Sequence, residues 1–225
     1  MVSTPTRHIP DLSTPSANVT PNRDRNRVPA GNITDKDNLR NPISRHLVRQ
    51  FDQTLMQCLD SVGPSSLHEV GCGEGRLTRL LAKRFGIPMR ATDVDADLIA
   101  HGQSSRTSGV TFVQRSIYDL RPSQDRADAI VCCEVLEHVA HPVKALGALR
   151  RLAAPHYVLS VPREPLWRIL NVCRGRYWHT LGNTPGHLNH WSTKGFLRCL
   201  SNCDFEPSVV RTPLPWTMVL GTFKS

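Results

Sequence analysis

Glu134, Glu137 and His138 sit within the run Glu-Val-Leu-Glu-His, and His187 and His190 follow later in the chain. Groups spaced i, i+3 and i+4 meet if the chain makes one helical turn there. Carboxylates and imidazoles gathered in this way can orient an acceptor, take its proton or ligate a metal. A second constellation is of a different kind. Glu69-Val70-Gly71-Cys72-Gly73-Glu74-Gly75 joins an apolar stretch, residues 67–70, to residues 76–85, whose apolar positions recur at helical spacing. Glycines between a strand and a helix let the backbone pass close to a ligand, with no side chain in the way. Two ligands suit such a turn. A dinucleotide is held by G-x-G-x-x-G, whereas S-adenosyl-L-methionine (SAM) is held by G-x-G-x-G with an acid two residues ahead. Glu69, Gly71, Gly73 and Gly75 match the second spacing.

These residues work only if strands and helices deliver them to one place. Either ligand carries a ribose that calls for a carboxylate at the end of the second strand, about 20 residues past the glycines. Residues 87–92 read as that strand, closed by Asp93; Asp95 is better placed to cap a helix over residues 96–102. Residues 110–113 read as a third strand. Residues 128–139 read as a buried fourth strand running into a loop and turn. Pro142 opens a helix through Leu152, residues 156–161 form a fifth strand, and Ser192-Thr193 opens a helix through Leu200. Two last strands fall within residues 206–211 and 216–223. Before the glycine loop, Ile43, Leu47, Val48, Phe51, Leu55, Met56 and Leu59 mark a leading helix.

With the glycine loop, Asp93 and Glu-Val-Leu-Glu-His in this order, the chain resembles the class I SAM-dependent methyltransferases from about residue 41 onward. The likeness is strongest to the small-molecule branch carrying that pentapeptide after the fourth strand. It implies an α/β, doubly wound Rossmann-like domain. The sheet would have seven mostly parallel strands and a C-terminal antiparallel strand, with SAM over the carboxyl ends of the first two. It implies cofactor contacts from Glu69, Gly71, Gly73, Gly75, Asp93 and Glu134. At the adenine end Ser116 stands where relatives often carry an acid, a weaker acceptor, and Ile117 would supply a backbone contact and an apolar wall. Glu137, His138 and His187 are the candidate catalytic residues.

A related pattern occurs in methyltransferases of the 3′-terminal 2′-hydroxyl of small RNAs, where two Glu and two His hold a divalent metal. The matching residues are Glu134, Glu137, His138 and His187, with Trp191 aligned and His190 where that branch has an acid. Residues 160–165 and 182–187 resemble bacterial small-molecule enzymes more. The preferred expectation is therefore methyl transfer to an O or N atom of a small metabolite, with no metal. Metal-assisted RNA methylation is the alternative; a nicotinamide-dependent oxidoreductase and a non-catalytic SAM-binding module are the readings from other classes.

Composition sets the frame. The 225 residues suit one domain. Residues 1–40 are rich in Pro, Ser, Thr, Asn and Arg and are expected to form a disordered tail. No apolar run is long enough to span a membrane, and charges and prolines stand where a secretory leader needs an apolar core, so a cytoplasmic protein is expected. The seven cysteines show no paired metal spacing and read as reduced packing residues. Residues 162–191, with Trp167, Tyr177, Trp178, His179, His187 and His190, are expected to be an acceptor-side lid without regular structure. Residues 163–198 carry six Lys or Arg against the single acid Glu164, which favours an anionic acceptor or, less strongly, a nucleic acid. The oligomeric state is not readable.

Overall fold

Asn41 accepts a hydrogen bond from the Ile43 N–H at 2.9 Å, and Pro42 fills the first helical position, so helix α1 (Pro42–Asp60) starts where the sequence has both a cap and a pre-set φ. Its inner stripe buries Leu47, Phe51, Leu55 and Leu59, while Ile43, expected on that stripe, is exposed at the first turn. The computed structural model describes residues 41–173 and 186–224, with side chains omitted at 171–173. The expected tail, and Tyr177, Trp178 and His179 of the expected lid, lie outside the described residues.

From α1 the chain alternates: β1 (Leu67–Val70), α2 (Arg76–Phe85), β2 (Met89–Asp93), α3 (Ala96–Ser104), β3 (Val110–Gln114), a 3-10 turn (Ile117–Asp119), and the short α4 (Pro122–Asp125). It continues with β4 (Ala129–Cys133), α5 (Pro142–Arg151), β5 (His156–Pro162), α6 (Leu166–Cys173), α7 (Thr193–Ser201), β6 (Phe205–Arg211) and β7 (Trp216–Phe223). The seven strands form one sheet in the order β3-β2-β1-β4-β5-β7-β6. Neighbours from β3 to β5 are parallel, and β7 runs antiparallel to both β5 and β6. The expected doubly wound α/β sheet with an antiparallel C-terminal strand is present. After β3 the chain crosses back to the other side of β1, so the strand order reverses beside β1 and β4. Open α/β sheets bind ligands at such a crevice, outside the carboxyl ends of the strands.

Apolar side chains cover both faces. One core joins Leu47, Phe51, Leu55 and Leu59 of α1 to Leu81, Val131, Trp167, Trp216 and Met218. The other packs Leu146 and Leu149 of α5 and Phe196 and Leu200 of α7 against Ile130, Tyr157 and Leu159. Two expectations need correction. The described part of residues 162–191, expected to lack regular structure, contains α6, where Trp167 packs against Trp216 with ring centroids 5.7 Å apart. Residues 134–138 do not make a helical turn. Glu134 takes a left-handed φ of 61° at the end of β4, and the chain then closes a tight turn through the His138 N–H and the Val135 carbonyl.

Candidate active site

The glycine loop leaves β1 at the crevice and is fastened from below. The N–H groups of Gly71 and Cys72 both donate to the Thr92 carbonyl, at 2.7 and 3.0 Å, tying the loop to β2. Gly71 has φ 77°, and a Cβ there would stand 2.2 Å from Val135 Cγ2, so the loop touches the residue after Glu134. Gly73, at φ 54°, is different: apart from its chain neighbours, no atom of the described residues lies within 4 Å of where its Cβ would be. Its N–H donates to Asp93 Oδ2 at 2.9 Å, and Asp93 Oδ1 accepts from the Asp95 N–H at 3.0 Å. Asp93 thus fixes the loop while standing at the end of β2. Asp95 caps α3 as expected, accepting from the Asp97 and Leu98 N–H groups.

Glu69 lies beneath this loop, almost wholly buried, and accepts a hydrogen bond from the Thr78 hydroxyl of α2. Burial pushes its carboxyl up to about 7 despite that hydrogen bond and the nearby Arg76. Arg76, the first residue of α2, pairs in bidentate fashion with Asp52 of α1 at 2.8 and 2.9 Å, holding the leading helix against the loop. Arg76, Glu134, Val48, Phe51 and Trp216 line a cleft there. The indole N–H of Trp216 is buried and has no hydrogen-bond partner among the described residues.

The residues expected at the adenine end follow β3. The Arg115 N–H donates to the Asp93 carbonyl at 2.7 Å, and its guanidinium pairs with Asp125, a carboxylate buried in α4. Ser116 caps the 3-10 turn, its hydroxyl accepting from the Tyr118 N–H at 3.3 Å, and Ile117 is buried.

The third group gathers where the β4 turn meets the chain approaching α7. Glu137 is buried, and its carbonyl accepts from the N–H groups of Leu188 and Asn189 at 2.7 and 3.1 Å. Asn189 returns the contact through its side-chain amide, which donates to the carbonyls of Leu136 and Val139. His138 Nδ1 lies 3.0 Å from the Gly186 carbonyl, and its ring meets that of His187 edge-on at 4.8 Å. His187 also stacks on Trp167 at 6.0 Å. Burial, with His138 and His190 nearby, lowers its pKa to about 4, so it is a neutral imidazole at physiological pH. Ligand atoms of Glu137, His138 and His187 all lie within 4.8 Å of one another. Glu134, grouped with them on sequence spacing, belongs to the cleft instead, because its left-handed backbone breaks the helical register. Beside the group, the Glu164 N–H donates to the Trp191 carbonyl at 2.9 Å, and Arg163 bridges Trp191, clasping the end of β5 to the residue before α7.

Residues 43–209 match the model of a family described as a methyltransferase domain. The chain belongs to that family. The methyltransferase is 34% identical over 173 residues to a ubiquinone biosynthesis O-methyltransferase of Methylococcus capsulatus, covering 68% of this chain and 71% of the relative. Among solved structures it shares its fold with a magnesium protoporphyrin IX methyltransferase from Synechocystis PCC 6803 with bound S-adenosylhomocysteine. That match has a TM-score of 0.62 and 17% identity, and covers 82% of this chain and 88% of that one. It also shares it with a small RNA methyltransferase, HEN1, at a TM-score of 0.62 and 14% identity, over 79% of this chain and 25% of that one.

The methyltransferase is a SAM-dependent enzyme of class I, and its own geometry fits the cofactor. Gly73, with no described residue against its open face, is hydrogen-bonded to the carboxylate at the end of β2, and Trp216, whose N–H has no hydrogen-bond partner among the described residues, lines the cleft with Arg76 and Glu134. Thr78, Arg76, Trp216 and Asn189 had no signal in the sequence, since each is recruited by tertiary contact. Arg76 and Asn189 could have been suspected only from their adjacency to Gly75 and to the two histidines. Among the described residues, no helix is long and apolar enough to cross a membrane.

Proposed function

We propose that this enzyme moves the methyl group of SAM to a hydroxyl oxygen of a small metabolite, in the cytoplasm. The similarity to the O-methyltransferase, over 68% of this chain and 71% of that relative, carries the reading. In it, Gly71, Gly73, Gly75 and Asp93 hold the donor, with Glu69 supporting the loop, Ser116 and Ile117 at the adenine and Glu134 in the cleft. SAM supplies a methyl group on a good leaving group, so alignment of the acceptor provides much of the acceleration. Glu137, His138 and His187 face the acceptor, where an imidazole lone pair can take its hydroxyl proton. Arg163, whose buried Nε lacks a hydrogen-bond partner among the described residues, offers a counter-charge to an anionic acceptor.

The meeting of Glu137, His138 and His187 also supports a second reading, metal-assisted methylation of an RNA 2′-hydroxyl. Incubation with methyl-labelled SAM and separated RNA and low-molecular-mass fractions of a cell extract tests both. Label is expected in a methyl ether of the small-molecule fraction. Label confined to RNA would replace the first reading with the second.

A further inference from the structure

We propose that Glu164, His187 and His190 form a binding site for a divalent transition-metal ion on the acceptor side of the cleft. Their ligand atoms all lie within 4.8 Å of one another. The Glu164 side chain is only 11% exposed, and neither carboxylate oxygen has a hydrogen-bond partner among the described residues. The approach of His190 Nδ1 to Glu164 Oε1, at 3.5 Å, is too long for a good hydrogen bond. A largely buried carboxylate without donors is costly to keep charged, and a cation between it and the two imidazoles removes that cost.

The backbone holds the three ligands in place before any ion arrives. Glu164 is clasped to Trp191 through its N–H, one residue beyond His190. His187 is buried and stacked on Trp167, so its ring has little freedom. His190 is at the rim, about a third exposed, which gives an ion a way in. One carboxylate oxygen and two imidazole nitrogens suit Zn²⁺, Fe²⁺, Co²⁺ or Mn²⁺ and leave coordination positions open. An acceptor hydroxyl or water taking such a position would lose its proton more readily. This set differs from Glu137, His138 and His187, sharing only His187 with it. It was hidden in the sequence because Glu164 lies far from the histidines along the chain.

The test uses the full chain, stripped with chelator and dialysed, and titrated with Co²⁺, whose visible absorption reports its ligand geometry. One ion per chain is expected to bind. Glu164→Gln and His190→Ala should each weaken it by at least about tenfold, while Glu137→Gln stays within about twofold. SAM affinity, measured by calorimetry on the same samples, confirms that each variant is folded. Methyl transfer is not read, so the outcome is independent of the acceptor assignment. The proposal is overturned if wild type binds no Co²⁺ while still binding SAM. It is equally overturned if Glu137→Gln abolishes Co²⁺ binding and Glu164→Gln and His190→Ala leave it intact.

Discussion

The side-chain amide of Asn189 donates to the carbonyl of Val139 at 2.7 Å, and through this bond the approach to α7 is stitched to the turn after β4. The same amide reaches the Leu136 carbonyl at 3.1 Å, so two main-chain acceptors depend on one side chain. Glu137 and His138 lie between those carbonyls in sequence, and His187 is two residues before Asn189. The relative position of Glu137, His138 and His187 therefore rests on Asn189.

Asn189→Ala should lower turnover by at least about tenfold and cost about 1–3 kcal/mol of stability, because buried carbonyls lose their donor. SAM affinity should stay within about twofold, since the donor loop is on other elements. Steady-state kinetics, denaturant unfolding and calorimetry together check this. Equal losses in SAM affinity and turnover would show that the two halves of the site are not separate.

Gly71 and Gly73 are both left-handed, yet substitution should harm the enzyme in opposite ways. A methyl group at Gly71 meets Val135 at 2.2 Å, so Gly71→Ala should mainly reduce thermal stability. At Gly73 the methyl meets no atom of the described residues, and the strain of a left-handed alanine is about 1–2 kcal/mol. If the open face is the cofactor's, as proposed, Gly73→Ala should fold but bind SAM at least about tenfold more weakly. Undiminished SAM affinity in Gly73→Ala would displace the cofactor from this loop.

Much of the donor half was legible because its residues are local. Glu69 to Gly75 sets its own turn chemistry, Asp93 ends a strand, and Asp95 caps the helix that starts beside it. The acceptor half was less so. Glu134 was grouped with Glu137 and His138 because their spacing fits a helix, and only the folded chain reveals the left-handed residue that separates them. Trp167 read as part of a stretch without regular structure, yet it lies in α6 and is buried, since its burial depends on Trp216 arriving from the last strand. Glu164 gave no sign of its neighbours for the same reason.

Glu69 gives a pH signature of its own. With its folded pKa raised to about 7, the folded protein keeps a proton that the unfolded chain releases near pH 4.5. Stability from this group is thus full below about pH 4.5 and falls as pH rises to about 7, then stays level. His68, buried and lowered to about 4, acts in the opposite direction, adding stability as pH rises from about 4 to about 6.5. Glu69→Gln removes only the first effect. The unfolding free energy of the variant minus that of wild type should therefore climb between pH 4.5 and 7, measured by urea unfolding across that range. A difference independent of pH would mean that Glu69 ionises as an ordinary carboxylate.

The pair Asp52 and Arg76 should govern cofactor residence. Both side chains are mostly sheltered, and they join α1 to the helix that starts at the glycine loop. Asp52→Asn should raise the SAM dissociation rate several-fold with a small change in melting temperature, because α1 remains anchored by Leu55 and Leu59. Stopped-flow displacement of a labelled cofactor measures it; an unchanged rate would leave α1 as a cover for the core alone.

The clasp between Arg163-Glu164 and Trp191 has a consequence for descent as well as for catalysis. A segment whose two ends are pinned side by side can lengthen, shorten or be exchanged at little entropic cost to the sheet that bears it. Glycine loop and strand-end aspartate lie outside that interval, whereas Trp167 lies within it and packs on Trp216 of the cleft, so variation that keeps Trp167 spares the core beside the glycine loop. A graft between the two posts that keeps Trp167, His187 and Asn189 would therefore alter the chain between them without unpinning its ends.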